Sequence, residues 1–229
     1  MNGKNVMADD CLIQQTKRSR VKGSGPKRTE LKTFYKIGSM PKRVLKELNY
    51  ILDTNTSNDI GGDDYAISQN CDYEEVFNVQ DKYRQILLQK TGELDPNVTN
   101  EYMYNIWDGN YQLRYTRVEL DKIFKQLRPS MPRIYRFRMS EMGDGHELNW
   151  HIDQDTSVIC RAQICLNEND SVLEFKDRQG IHKLKMKPGE VWFINTGWNH
   201  RVVAGNDIRR SAIFGFHFND LIEKDILYK

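Results

Sequence analysis

Hydrophobic and polar positions alternate along the second half of the chain. From residue 134 to residue 140, an isoleucine, two arginines and a serine alternate with two aromatic residues and a methionine. A period of two is typical of a β-strand, because successive side chains point to opposite faces. Turn residues at 177–180 and 187–190 separate some of the later runs. Six further runs are predicted as short strands: Val158–Leu166, Val172–Lys176, Ile181–Met186, Val191–Ile194, Arg201–Val203 and Ser211–Phe218. Many short strands joined by turns predict a β-sandwich or jelly roll.

The first half of the chain has a helical pattern instead. After Pro41, a residue suited to a helix start, apolar residues recur at intervals of three and four: Val44, Leu45, Leu48, Ile51 and Leu52. A second helix is predicted over Val76–Gln89, with Gly92 as its stop, and a third over about Arg117–Leu127. Residues 53–72 are rich in Asn, Asp, Gly and Ser and predict a long loop. These elements predict a helical support layer for the β half.

Charge is distributed unevenly, although the 229-residue chain has a net charge of only +2. Residues 1–43 carry 11 basic and three acidic side chains, a net charge of +8, and the remaining 186 residues carry a net charge of −6. Residues 1–30 have few large apolar groups and predict a disordered basic arm. Six of its cations are suited to nucleic acid or an import receptor: Lys17, Arg18, Arg20, Lys22, Lys27 and Arg28. A solvated tail is the simpler interpretation, so nucleic acid is not the favoured partner.

The composition also bounds the compartment. Four cysteines in 229 residues have neither the density nor the spacing of a disulfide framework. No apolar run approaches the ~20 residues that span a bilayer, and residues 1–10 lack the apolar stretch of a signal peptide. We therefore expect a soluble, cytoplasmic protein without a membrane partner. With 38% apolar and 29% charged residues, the chain has room for one well-buried domain with extensions.

Candidate chemistry begins at His151 and Asp153. Residues two apart in a strand project from the same face, so this imidazole and this carboxylate can share a metal ion. His200, at the start of a later predicted strand, is the third candidate ligand. Two histidines and one carboxylate form the facial triad of non-haem Fe(II) oxygenases, which leaves positions open for a co-substrate and O₂. Zinc is chemically compatible with the same ligands.

An arginine near the last strand favours iron over zinc. A 2-oxoglutarate molecule chelates iron through its keto-acid end and leaves a distal carboxylate, which the bidentate fork of an arginine is suited to hold. Arg209 and Arg210 compete for this role, and Arg209 with Ser211 would form a plausible anion clamp. By alternation, Arg210 shares a face with Ala212 and three phenylalanines, whereas Arg209 shares one with Ser211. Because we expect the apolar face to point into the barrel, we predict that Arg210 binds the co-substrate.

Four features occur together between Tyr115 and Asp220. Ser140 lies eleven residues before His151, the segments Arg161–Leu166 and Gly189–Phe193 follow, and Arg210 lies ten residues after His200. In this combination the chain resembles the aspartyl/asparaginyl β-hydroxylase-like family of 2-oxoglutarate- and Fe(II)-dependent oxygenases, which includes bacterial free-proline hydroxylases.

The resemblance implies a fold, a reaction and a set of site residues. The fold is a double-stranded β-helix, a cupin-like jelly roll, which agrees with the strand pattern. His151, Asp153 and His200 are similar to the family's metal ligands, although its animal peptide hydroxylases lack the carboxylate. Arg210 resembles the arginine that binds the distal carboxylate. Ser140 and Arg161 resemble its co-substrate neighbours, as does Gln163, which stands where the family often has histidine.

The implied enzyme uses Fe(II), 2-oxoglutarate and O₂ to hydroxylate an amino-acid side chain, free or within a peptide, and releases succinate and CO₂. We therefore expect a mainly β protein with helical support, in which residues 1–30 are the disordered arm, 31–128 the mostly helical support region and 129–229 the catalytic core. Two alternatives stay open. A nucleic-acid demethylase would use the same chemistry and give the basic arm a role, and a non-enzymatic cupin-like binding module would need only some of the ligands.

Overall fold

A computed structural model gives the architecture of the chain. It describes residues 23–54, 83–87, 89–91, 111–113, 135–143, 145, 147–153, 155–203, 205–221 and 223–229. Within these residues the protein is a pair of facing antiparallel β-sheets with one α-helix packed outside, and short 3₁₀ helices η1 (Phe218–Asp220) and η2 (Lys224–Leu227) follow the last strand.

The larger sheet has six strands in the order β1-β10-β7-β12-β5-β2. Their bounds are β1 (Phe34–Ser39), β2 (Tyr83–Leu87), β5 (Tyr135–Met142), β7 (Cys160–Cys165), β10 (Glu190–Ile194) and β12 (Arg209–Phe216). The smaller sheet has the order β6-β11-β8-β9. Its strands are β6 (Leu148–His151), β8 (Val172–Asp177), β9 (Gly180–Leu184) and β11 (Asn199–Val203). A separate pair joins β3 (Gln89–Thr91) to β4 (Tyr111–Leu113).

From β5 to β12 the chain crosses repeatedly between the two sheets, and every pairing is antiparallel. This winding is that of a double-stranded β-helix, so the predicted fold class is confirmed. The predicted turns are also present. Asp177 and Gly180 close the β8–β9 hairpin, and Gly189 has a φ of +85°, a left-handed conformation that glycine adopts without strain.

Helix α1 (Lys42–Thr54) covers the outer surface of the six-stranded sheet. Its buried residues are four of the five that the sequence pattern predicts, Val44, Leu48, Ile51 and Leu52, and Leu45 is half-buried. They pack against Phe193, Ala212, Phe214 and other apolar side chains of the sheet. Full burial of one such side chain contributes about 1.5–3 kcal/mol. The largest apolar cluster of the protein therefore lies outside the barrel, between helix and sheet.

The space between the two sheets has a different composition. A smaller apolar cluster occupies one part of it and includes Met142, Cys165, Phe175 and Ile194. Buried polar side chains share this interior: Ser140, Arg161, Gln163, Arg209 and Ser211 are each at most 6% exposed. Groups of this kind are buried at a cost, so their concentration distinguishes the barrel interior from the apolar layer under α1.

Two predictions about the first half are wrong where the structure describes it. Residues 83–87, placed in a second helix, form strand β2, which pairs with the edge of β5 and extends the larger sheet. Residues 23–30, placed in the disordered arm, lie against the barrel, with the Gly25 amide donating to the Ser157 carbonyl at 2.9 Å. The predicted helix over 117–127 and most of the predicted loop over 53–72 lie outside the described residues.

Among the residues that the structure describes, no helix has the length and apolar content needed to cross a membrane.

Candidate active site

Two adjacent strands of the smaller sheet bring the candidate metal ligands together. His151 ends β6 and His200 lies in β11, and the two residues are direct partners across the antiparallel pair. Asp153 follows β6, where its backbone N–H donates to the Thr196 carbonyl at 2.9 Å. One ligand atom from each of the three side chains lies within 4.8 Å of the others. The pairing register therefore brings His151 and His200, 49 residues apart in the chain, into one cluster.

Hydrogen bonds orient both imidazoles. Nδ1 of His151 is 2.7 Å from the Asn149 carbonyl, and Nδ1 of His200 is 2.9 Å from the Trp198 carbonyl. Because a carbonyl only accepts, each Nδ1 carries the proton, and in the neutral ring Nε2 keeps the lone pair that can bind a metal. Phe175 stacks on the His200 ring at 5.8 Å and 19°. Backbone carbonyls that fix the tautomer in this way are the usual second-shell partners of metal-ligating histidines.

The electrostatics favour the metal-binding forms of these groups. Burial lowers the pKa of His200 to about 3, and the nearby charge of His151 adds to this effect. Burial alone would raise the pKa of Asp153, but the charges of Arg161, His200, His151 and Arg138 outweigh it and hold that pKa well below its usual range. Near neutral pH the cluster therefore presents a neutral imidazole at His200 and a carboxylate at Asp153, as metal ligation requires.

The donor set fits a divalent transition metal. Two imidazole nitrogens and one carboxylate, all on one side, are the ligands of a facial triad. Nε2 of His200 is 3.9 Å from Oδ2 of Asp153. Metal–nitrogen and metal–oxygen bonds of about 2.1 Å hold donors closer together than this, so a bound ion would draw the three side chains inward.

Arginines surround the carboxylate. Arg161, 6% exposed, has its Nε 3.3 Å from Oδ2 of Asp153, an ion pair longer than the ~2.8 Å of a well-formed charge-assisted hydrogen bond. Arg138 is two positions from Ser140 on β5 and so shares its inward face. Arg209 opens β12, directly opposite Met142. Three arginines against one carboxylate leave the interior positively charged, which suits an anionic ligand.

The prediction that Arg210 points into the barrel is wrong. Its guanidinium lies outside, where Nη1 is 2.8 Å from Oδ1 of Asp53 and Nε is 2.7 Å from Oε2 of Glu141. It also donates to the Asn49 side chain at 3.2 Å, so it ties α1 to the sheet. The alternation along β12 is as expected, but its apolar face meets the helix and not the interior.

Arg209 therefore occupies the inward position. It is 6% exposed, and its Nη1 lies 3.4 Å from the Met142 sulfur. Two residues further along the same face, the Ser211 hydroxyl is 2.8 Å from the Ser140 hydroxyl. These two serines are direct partners across β12 and β5. An arginine fork and two hydroxyls thus line the same wall of the barrel.

Of the remaining candidates, Ser140, Arg161 and Gln163 all lie in this interior. Gln163 is 2% exposed, and its buried side-chain N–H₂ has no hydrogen-bond partner among the residues that the structure describes. Such a group costs free energy unless a ligand or water satisfies it. The structure thus gathers the three candidate metal ligands and these three residues in one barrel, and it leaves out Arg210.

Sequence reasoning missed three kinds of residue here. Arg138 lies two positions before Ser140 in the alternating pattern, but it is not among the site residues predicted from the sequence. Strand pairing and loop geometry bring three further groups to the candidate ligands: the Phe175 ring and the carbonyls of Thr196 and Trp198. The sequence carries no signal for these contacts. Two other histidines have structural partners: His182 contacts Asp177 at 2.8 Å and His217 contacts the Val158 carbonyl at 3.0 Å.

Comparisons with known proteins give similarity of structure without similarity of sequence. No protein-family model and no curated protein matches the chain. An oxidoreductase of the 2OG-Fe(II) oxygenase family from Burkholderia pseudomallei is 10% identical, with a TM-score of 0.49 and coverage of 95% of this chain and 92% of that chain.

Two further solved structures are similar at the same level. A prolyl-4-hydroxylase from Pseudomonas putida is 11% identical, with a TM-score of 0.45 and coverage of 81% of this chain and 92% of that chain. HygX from Streptomyces hygroscopicus, solved with nickel, 2-oxoglutarate and hygromycin B, is 11% identical, with a TM-score of 0.48 and coverage of 81% and 82%. Because the sequence identities are this low, the function has to be inferred from the residues of this chain.

Proposed function

We propose that this protein is a 2-oxoglutarate- and Fe(II)-dependent dioxygenase that hydroxylates an amino-acid side chain, free or within a peptide. The observation that supports the proposal is that two groups of residues, a metal-type cluster and an anion site, lie in the same barrel. The metal-type cluster of His151, Asp153 and His200 lies on the smaller sheet, and the buried Arg209 lies with the Ser140–Ser211 hydroxyl pair on the larger one. A metal centre and an anion site facing the same interior suit a co-substrate that has a chelating end and a distal carboxylate.

Each residue has a distinct task in this proposal. His151, Asp153 and His200 hold Fe(II) through two Nε2 atoms and a carboxylate oxygen. Arg209 binds the distal carboxylate of 2-oxoglutarate through its fork, helped by the hydroxyls of Ser140 and Ser211. Arg161 balances the charge of Asp153, from which its Nε is 3.3 Å away. Gln163, whose buried side-chain N–H₂ has no partner in the described part of the chain, donates to the keto-acid end.

When bound, Fe(II) activates O₂ so that decarboxylation of 2-oxoglutarate is coupled to hydroxylation of a C–H bond. One atom of O₂ enters succinate and the other enters the hydroxyl group, and CO₂ leaves. The protein supplies orientation: the fixed imidazoles and the buried arginine align the co-substrate before reaction. The substrate class follows from the family resemblance at residues 115–220.

The basic arm does not support the alternative of a nucleic-acid demethylase in the part of it that the structure describes. Arg28, one of six cations suited to a phosphate backbone, donates to the Gly197 carbonyl at 2.7 Å and lies over the Trp198 ring. That contact is half-buried and engages the guanidinium within the fold.

Anaerobic titration with Fe(II) and 2-oxoglutarate tests the cofactors. We expect a visible metal-to-ligand charge-transfer band that requires both additions, and succinate release after O₂ is admitted. The Asp153→Ala variant is the control, and it should show neither. A folded wild-type protein without the band would overturn the proposal, and a band without succinate under any candidate amino acid or peptide would favour a binding module.

A further inference from the structure

The segment 23–33, here called the N-terminal strap, lies against the loop 195–198 that leads into β11. The Asn195 amide donates to the Thr33 carbonyl at 2.9 Å. The Asn195 side chain donates to the carbonyls of Arg28, at 3.0 Å, and Lys32, at 3.2 Å. In the other direction, Nη1 of Arg28 donates to the Gly197 carbonyl at 2.7 Å. Four hydrogen bonds thus join two segments about 167 residues apart in the chain.

The same loop holds two of the three candidate metal ligands. The Thr196 carbonyl accepts the Asp153 amide at 2.9 Å, and the Trp198 carbonyl accepts Nδ1–H of His200 at 2.9 Å. Asn195, Thr196 and Trp198 are at most 8% exposed. A displacement of this loop would therefore move the backbone of one ligand and turn the ring of another.

Arg28 contacts the loop at Gly197 and Trp198, next to the two carbonyls that accept from Asp153 and His200. Besides its bond to Gly197, its guanidinium lies over the Trp198 ring, 5.2 Å from the centroid, and Nζ of Lys229 lies 5.6 Å from the same centroid. The Trp198 indole N–H is buried and has no hydrogen-bond partner in the part of the chain that the structure describes. The ring is consequently held by packing and by the two cations above its face.

We propose that Arg28 is a positioning residue for the metal centre. It fixes the carbonyls of Thr196 and Trp198, and through them the backbone of Asp153 and the tautomer and ring plane of His200. This inference rests on the proposed function, because it assigns the cluster to a metal. It also gives part of the basic arm a task inside the fold, where charge alone had suggested a tail or a nucleic-acid contact.

Metal-free hydrogen exchange tests the positioning step separately from metal binding. In Arg28→Ala we expect the Asp153 amide to exchange about tenfold faster, because its acceptor loop is released. Amides where β12 pairs with β5, in the larger sheet, should keep their rates. Lys27→Ala is the matched control, since it removes an exposed cation from the same strap. Equal exchange at Asp153 in the wild type and in Arg28→Ala would overturn the proposal.

Affinity for Co(II) alone, followed by its ligand-field absorption, tests the consequence for the metal. Loss of an outer-shell contact lowers metal affinity by about 10- to 100-fold, and we expect this loss in Arg28→Ala, none in Lys27→Ala and partial recovery in Arg28→Lys. Unchanged affinity and spectrum in Arg28→Ala would refute the role of Arg28. A wild-type protein that binds no Co(II), while the exchange difference persists, would refute the metal assignment and leave the strap as a loop anchor only.

Discussion

Neighbouring arginines on β12 have opposite orientations, so exchanging each for alanine gives opposite results. Arg209 is 6% exposed and faces the interior, whereas Arg210 lies outside and pairs with Asp53 and Glu141. We expect Arg209→Ala to lose 2-oxoglutarate binding while keeping its fold, and Arg210→Ala to lose stability while keeping 2-oxoglutarate binding.

The magnitudes follow from burial. Removing one partner of a buried, hydrogen-bonded charge pair costs about 2–5 kcal/mol, and a loss of about 3 kcal/mol weakens the Kd for 2-oxoglutarate roughly 100-fold. The side chains of the Arg210 network are more exposed, at 22% for Arg210, 21% for Glu141 and 56% for Asp53. Exposed ion pairs contribute about 0.2–1 kcal/mol each, so Arg210→Ala should lower the free energy of unfolding by about 1–2 kcal/mol.

Calorimetric titration of 2-oxoglutarate into anaerobic protein loaded with Mn(II), which replaces Fe(II) without turnover, measures the first effect. Urea unfolding of the same variants measures the second. Arg209→Lys serves as the conservative control and should lie between wild type and alanine, because it keeps the charge and loses the fork. If Arg210→Ala weakens 2-oxoglutarate binding as much as Arg209→Ala, the assignment of the inward face is wrong.

Three further results are expected. Asp153→Ala should lose Fe(II)-dependent succinate release, and retained release would remove Asp153 from the ligand set. The pKa of His200 falls from 6.5 to about 3 in the folded protein, so between these values only the unfolded chain binds the proton. The free energy of unfolding of the metal-free protein should therefore rise with pH over this window and level off above it; urea unfolding from pH 4 to 7 should show a shallower slope in His200→Gln, and identical slopes would contradict the shift. Glu190 accepts from Lys36 at 2.8 Å and from the Trp192 indole at 3.1 Å, and its pKa is lowered to about 2; Glu190→Gln should lower the Tm by a few degrees in a thermal melt without changing Co(II) affinity, and a change confined to metal binding would argue against its structural role.

Much of the β half was predictable because its signals are local. A period of two, turn residues and a glycine at a left-handed position specify strands and hairpins without reference to distant residues. The His-x-Asp spacing is local in the same sense, whereas the register that sets His151 opposite His200 is a property of the tertiary structure. The first half was harder. The spacing of Tyr83 and Leu87 is as compatible with an amphipathic helix as with a strand. In the folded protein the segment forms a strand because it pairs with the edge of β5.

The sequence by itself determined that β12 has one apolar and one polar face, and that Arg209 and Arg210 lie on opposite ones. Only the tertiary structure decided which face is inside. Helix α1 covers the outer surface of the larger sheet, so the apolar face of β12 is buried there, and the polar face with Arg209 and Ser211 is left for the interior. Alternation along a strand records a difference between two environments but not their identity, which depends on the layer that packs against each face.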